Sequence, residues 1–216
     1  MPHQPRTQVD LRNDYGKHTL TDDDAGADPI ALFGRWLQRA EDEQVPEHNA
    51  MALATSGADR LSCRMVLLRS FDADGFVFFT NYNSRKSMDL DADTRAALTF
   101  FWPQLERQVR IEGRSERTDA AESDAYFGSR PRDSRISAWA SDQSMPVASR
   151  ERMMERYARW DDRFKDVEVQ RPFHWGGIRV RPLRIEFWQG GKHRMHDRIV
   201  FERRTHGEWE RSRLQP

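Results

Sequence analysis

MALAT at 51–55, LSCRMVLLR at 61–69, FVFFTN at 76–81, AALTFFW at 96–102 and LERQVRIEGR at 105–114 are short apolar and aromatic segments of the 216-residue chain. Hydrophobic residues recur along them with period two, the spacing of strands with one buried face. Ser56-Gly57 and Asp74-Gly75 punctuate the run as turns. Strands at roughly ten-residue spacing, with no helix between most of them, predict an antiparallel barrel or sandwich.

Upstream, Asp28-Pro29 reads as an N-cap followed by proline at the first helical position. Ile30, Phe33, Leu37 and Ala40 continue at helical spacing, and Pro46 closes the element. Residues 1–28 are polar, with Asp22-Asp23-Asp24, and are expected to form a mobile arm. Downstream, Asp119 and Glu122 suggest a capping box for a helix to about Phe127. A second helix is expected from Ser149, its stripe of Met153, Met154, Tyr157, Trp160 and Phe164 packed into the core. Strands are then expected at 175–181, 184–189, 194–203 and 209–214, with Gly190-Gly191 and His206-Gly207 as hairpin turns. The fold class is mainly β with flanking helices: one barrel domain over 29–216 behind an arm.

Composition removes several function classes. No apolar run approaches the ~20 residues of a membrane-spanning helix. The N-terminus lacks a secretory apolar stretch, so a soluble cytoplasmic protein is expected. A lone cysteine, Cys63, excludes an internal disulfide framework and any multi-cysteine metal site. Thirty-five basic residues balance thirty-five acidic ones, which leaves no global field for nucleic acid. There is no GxGxxG after a strand, no GxxxxGK[ST], no HExxH and no GxSxG. His193 and His196 would point to opposite faces of a strand, so no metal is expected.

Three constellations could hold anions. Arg194, His196 and Arg198 at i, i+2 and i+4 would share one face of a strand, either facing an anion or forming a solvated edge. Ser84-Arg85-Lys86 follows the aromatic strand as a loop that is either a phosphate cradle or simply solvated. Tyr126, Arg130 and Ser134 offer charge-assisted and neutral hydrogen bonds to phosphate oxygens.

RMVLLRS (64–70), FVFFTNYNSRKS (76–87), LERQVRIEG (105–113), YFGSRPRDS (126–134), AWASDQS (138–144), IEFWQGGKHRMHDR (185–198) and the terminal RLQP (213–216) together resemble the pyridoxine (pyridoxamine) 5'-phosphate oxidase family. They occur in that family's order and approximate spacing, and the resemblance covers nearly everything from Leu11 onward. It implies a homodimer of split β-barrels with FMN in clefts between subunits. By the resemblance, Arg64, Met65, Val66, Leu67, Leu68 and Arg69 border the flavin, with Phe79 and Thr80 beside them. Arg85 and Lys86 match the positions that hold the FMN phosphate. Gln108, Gln143, Ser144, Trp188 and Arg198 match further cofactor contacts.

The resemblance also assigns the substrate side. Tyr126, Arg130 and Ser134 match the grip on the substrate 5'-phosphate, joined by Arg69. Arg194 and His196 match the catalytic pair over the pyridine ring. Arg12 to Tyr15 resembles a segment that folds over the site as a lid, with Arg12 and Tyr15 on the substrate. The implied reaction is oxidation of pyridoxamine or pyridoxine 5'-phosphate by oxygen to pyridoxal 5'-phosphate, giving peroxide, and ammonia from the amine. Position 69 is arginine where the family usually has lysine. Because charge is kept, Arg69→Lys is expected to leave turnover largely intact, and a hundredfold loss in a steady-state assay would refute that. Two alternatives remain: a same-fold flavin oxidase of another reduced aromatic, of phenazine-pathway type, and a non-catalytic module that binds FMN or pyridoxal phosphate.

Overall fold

The computed structural model describes residues 14–57 and 60–216. Arg12 lies outside the described residues. Within them, the strands are β1 (Ala50–Ser56), β2 (Leu61–Leu67), β3 (Ser70–Asp72), β4 (Gly75–Asn81), β5 (Arg95–Trp102), β6 (Arg107–Arg117), β7 (Trp175–Gln189), β8 (Asp197–Arg203) and β9 (Trp209–Leu214). The helices are α1 (Asp22–Ala25), α2 (Pro29–Asp42), α3 (Arg85–Ala92), α4 (Ala120–Ser129), α5 (Arg132–Ala140) and α6 (Arg150–Arg163). No helix among the described residues is long and apolar enough to cross a membrane.

All pairings are antiparallel, in the order β2-β1-β5-β6-β7-β4-β3, with β8 added to β7 and β9 to β8. Period-two patterning gives the curled sheet one buried face. Ala96, Leu98, Phe100 and Trp102 of β5 and Val109 and Ile111 of β6 turn inward onto one core. Helix α2 closes that core, with Phe33 edge-on to Phe71 and Phe76 at 4.9 Å and to Phe100 at 5.0 Å. Its start follows the expected chemistry, because the Asp28 carboxylate accepts from Ile30 N and Pro29 occupies the first turn. The half-barrel is stitched where β2 returns toward β4: Leu68 N donates to Asn49 O (2.8 Å) and Arg69 N to Val77 O (2.9 Å).

β4 is buried on both sides. Phe76 and Phe78 enter the barrel core, while Phe79 packs on a second cluster around Phe127, Ile136 and Trp175. Helix α6 covers that cluster with Tyr157 and Trp160, and Phe164 joins them from its C-cap. Met153 and Met154, expected in the core, are about half exposed, because α6 docks through one end of its stripe.

Four further expectations change. Residues 84–86 are not a loop, since Arg85 and Lys86 open α3 with Ser84 as N-cap. A third helix, α5, separates the two expected after β6. The strands expected at 175–181 and 184–189 are one strand, β7, whose pairing slips between Glu112 and Gly113 as Pro182–Arg184 pass. Finally, residues 14–28 of the expected arm lie on the body: Leu20 and Ala25 are buried, and α1 carries its own capping box between Thr21 and Asp24.

Candidate active site

The first group of expected site residues converges where β2, β4, α3 and the α4–α5 corner meet. A cavity of about 310 Å³ there is lined by Met65, Val66, Leu67 and Arg69 on one wall and by Phe79, Thr80, Lys86 and Gln143 on another. Tyr126, Arg130 and Trp175 complete it. Its floor is a set of nearly parallel rings: Phe79 stacks on Tyr126 (3.9 Å, 20°) and on Trp175 (5.5 Å, 15°). The Arg130 guanidinium lies 4.6 Å over Trp175, and that of Arg69 lies 5.9 Å from the Tyr126 ring.

The cations here are short of counter-charge. Lys86 is only 8% exposed, and its ammonium donates to two neutral hydroxyls, Thr80 Oγ1 (3.0 Å) and Ser84 Oγ (3.1 Å). Burial, and then repulsion from Arg64, push its pKa down to about 8. Arg64 is tied to Thr55 Oγ1 (2.7 Å), Ser62 Oγ (2.7 Å) and Leu53 O (3.3 Å), and burial holds its pKa below the ordinary range too. The buried Asp89 carboxylate, 3.6 Å from both Arg60 and Arg64, offsets only part of this charge. Arg130 has a buried Nη1 with no hydrogen-bond partner, and its pKa is also lowered by burial. Leaving such donors unmatched costs free energy that an anion removes. The residues present therefore fit phosphate groups, as FMN and a phosphorylated substrate require.

Gln143 couples the loop after α5 to this wall, its Oε1 accepting from Thr80 Oγ1 (3.2 Å) and Asn81 N (3.3 Å). Some expected contacts stand apart from the cavity lining. The Leu68 side chain is in the barrel core, Arg85 and Ser144 are exposed, and Ser134 is half-buried on α5.

The second group lies at the other end of β7. Gln108, Trp188 and Arg198 are partners in register across β6, β7 and β8 and so form one row. Arg198 is braced by Glu186, a carboxylate 2% exposed that also receives Arg184 Nη2 (3.0 Å). The expected strand through Arg194 and His196 does not form. Lys192–Arg194 make a single 3-10 turn, His193 and Arg194 are left-handed (φ 55° and 62°), and β8 begins only at Asp197. The shared face at i, i+2 and i+4 is thus replaced by a compact loop. In it Gly191 N donates to His196 Nδ1 (3.1 Å), which leaves the proton of the neutral ring on Nε2. His196 packs 4.7 Å from Trp188, and burial, then the Arg194 charge, lower its pKa. Tyr15 closes the cluster edge-on to Trp188 (5.5 Å) and near His196 (5.8 Å).

Trp175 borders the first group and Trp188 belongs to the second. Thirteen residues of strand at ~3.3 Å each put them roughly 40 Å apart along β7. The two groups therefore lie toward opposite ends of one strand.

The family model described as pyridoxamine 5'-phosphate oxidase matches residues 37–189. The chain belongs to the pyridoxamine 5'-phosphate oxidase family. Residues 175–216 match a second model, described as the pyridoxine 5'-phosphate oxidase C-terminal dimerisation region. A pyridoxine/pyridoxamine 5'-phosphate oxidase of Rubrobacter xylanophilus is 51% identical, with all of both chains covered. One from Trichormus variabilis is 49% identical over 98% of this chain and 99% of that one. Among solved structures, PhzG from Burkholderia lata in complex with tetrahydrophenazine-1-carboxylic acid superposes with a TM-score of 0.87 at 30% identity, covering 94% of this chain and all of that one. A pyridoxamine 5'-phosphate oxidase-related, FMN binding protein from Nostoc punctiforme shares the fold (TM-score 0.70, 15% identity, 88% and 99% covered).

Against this family background, residue reading missed groups that act through others. Trp175 carries no signal in the sequence beyond that of a strand residue, although it floors the cavity. Asp89 and Glu186 carry no motif, but an acidic residue at an inward strand or helix position flanked by arginines is the signal that marks them.

Proposed function

We propose that this protein is a cytoplasmic, homodimeric FMN-dependent oxidase that converts pyridoxamine 5'-phosphate or pyridoxine 5'-phosphate to pyridoxal 5'-phosphate. The observation that carries the reading is the cavity that places the buried Lys86 ammonium, bonded only to neutral hydroxyls, and the Arg130 guanidinium, with its unpartnered Nη1, beside Arg69 on an aromatic floor. Full-length identity of about half to proteins named for this activity supports it.

Arg64, Arg85 and Lys86 would hold the FMN phosphate, with Thr80 and Gln143 setting polar contacts along β4. FMN supplies, when bound, a hydride acceptor that oxygen can reoxidise to release peroxide. Arg69, Tyr126, Arg130 and Ser134 grip the substrate phosphate and fix the ring against the cofactor. His196 presents Nε2–H and Arg194 presents its guanidinium to the ring; together they orient the substrate and bias its protonation. Because these two sit far along β7 from the cavity, the partner subunit brings its own copies to each site, which fits the match of residues 175–216 to a dimerisation region.

The likeness to PhzG favours a second reading, oxidation of another reduced aromatic in the same cleft. Peroxide release by the purified FMN-loaded protein separates them. Turnover of pyridoxamine or pyridoxine 5'-phosphate supports the first reading, turnover only of a reduced phenazine precursor supports the second, and flavin binding without turnover of either overturns both.

A further inference from the structure

Glu106 is an acidic residue only 5% exposed, at the turn between β5 and β6, and its backbone is left-handed (φ 54°). The backbone angle belongs to the C-cap of the 3-10 turn at Pro103–Leu105, but the barrel gives no reason for a buried carboxylate there. Its Oε2 accepts two backbone N–H groups some ninety residues away, from Gly16 (2.7 Å) and Lys17 (3.0 Å). The Glu106 carbonyl meanwhile accepts from Gly190 N (2.8 Å) and Gln189 Nε2 (3.2 Å), at the end of β7 that leads into His196. One residue thus joins the N-terminal segment to the loop of the second group. Lys17 Nζ adds a bond to Gln104 O (2.8 Å). Farther along, Leu20 N donates to Asp197 Oδ2 (3.0 Å), and Asp197 is the neighbour of His196.

The approach is close. A Cβ on Gly190 would stand 2.9 Å from the Tyr15 Cβ and 3.0 Å from that of Glu106, so only glycine lets the three backbones meet. Burial pulls the carboxyl pKa up, but the bonds from Gly16 and Lys17 outweigh it and leave it lowered, so the acceptor is the charged form.

We infer that Glu106 is a positioning residue for the oxidation: its carboxylate latches residues 16 and 17 so that Tyr15 caps the wall made by Trp188 and His196. The inference rests on the proposed function for what that wall faces. The latch sets how tightly substrate is enclosed and leaves the reacting groups unchanged.

Its test uses the full-length, FMN-loaded protein and two readouts. The first is limited trypsinolysis, following cleavage after Lys17 by mass spectrometry. Glu106→Ala is expected to speed that cut at least about tenfold, since two N–H groups lose a charged acceptor. Glu106→Gln, whose single carbonyl oxygen can still receive both N–H groups, should restore most of the protection. The second readout is a KM-against-kcat split with pyridoxamine 5'-phosphate. Glu106→Ala and Tyr15→Ala should each raise KM about tenfold with kcat nearly constant, and the double variant should add nothing further. An unchanged cleavage rate, or KM effects that simply add, overturns the inference. Should Glu106→Ala not fold, Glu106→Asp keeps the charge but withdraws it from the amides and takes its place. If the wild-type protein fails to oxidise the substrate, the functional reading falls while the trypsin comparison still decides the latch.

Discussion

Lys86 and Arg130 are two cavity side chains at which folding leaves charge uncompensated, and each leads to a measurement. The Lys86 pKa, pushed down from 10.5 to about 8, lies below its unfolded value. The folded chain therefore binds that proton less tightly than the unfolded chain. The charged ammonium costs stability below about pH 8, and the cost fades between about pH 8 and 10.5. A bound phosphate reverses the preference, so binding takes up a proton once the free site has lost its own. The FMN Kd of the apoprotein should be flat up to about pH 7.5 and weaken by up to about tenfold per pH unit above 8, and Lys86→Met should abolish that slope. Fluorescence titration of FMN between those pH values checks it, and a flat wild-type profile defeats the argument. At Arg130, an unpartnered buried Nη1 is a penalty carried for a ligand. Arg130→Met should hold or raise the melting temperature of the substrate-free protein while KM for pyridoxamine 5'-phosphate rises about a hundredfold or more. A variant that loses both stability and affinity would show that the guanidinium is structural.

Elements were legible in proportion to how much apolar periodicity they carry. β5 and β6 alternate cleanly, and α2 shows cap, proline and apolar stripe, so all three were readable. α3 was not, because the face it buries is Lys86, Ser87 and Asp89, polar residues of which Lys86 lines the cavity, with Leu90 alone as an apolar marker. The turn at 192–194 is hidden for a related reason: two left-handed residues, His193 and Arg194, interrupt what alternation alone would continue as a strand. The site was legible as residue types and family words, but its division between two ends of β7 was not, since only three-dimensional register shows it. The β7 bulge is another feature that spacing hides, and glycine makes it possible. A Cβ at Gly113 would press into the Arg181 carbonyl, whereas one at Gly128 in α4 meets nothing within 4 Å. Gly113→Ala should therefore cost about 1–3 kcal/mol by forcing β6 from β7. Gly128→Ala should stabilise by up to about 1 kcal/mol through helix propensity. Thermal or urea unfolding of both variants tests the pair, and equal effects would mean that the bulge tolerates a side chain.

At the scale of the whole molecule, a single barrel carries two half-sites that its own β7 holds apart. The cavity at the Trp175 end has the cations Arg69, Lys86 and Arg130, which the proposed function assigns to phosphate, and the loop at the Trp188 end has Arg194 and His196. The edge strand β2, which borders the cavity, leaves Leu61, Met65 and Leu67 exposed, an apolar row that a second chain could cover. With two-fold symmetry, each chain would lend its Trp188 end to its partner's cavity, so one dimer has two composite sites. This arrangement predicts complementation. Arg130→Ala disables the cavity half, and a His196→Ala, Arg194→Ala double variant disables the other; each homodimer should be inactive. When the two are unfolded together and refolded in equal amounts, half the dimers are mixed. Each mixed dimer pairs one intact cavity with one intact loop, alongside one site that is doubly damaged. Peroxide production should recover to about a quarter of the wild-type rate under random pairing. Recovery needs subunit exchange, so mixing the folded homodimers without a denaturation step should give less and give it slowly. If co-refolded mixtures show no activity above the separate variants while wild-type protein taken through the same cycle regains its rate, the active site lies within one chain, and the separation along β7 must be bridged by some rearrangement of the loop at 190–196.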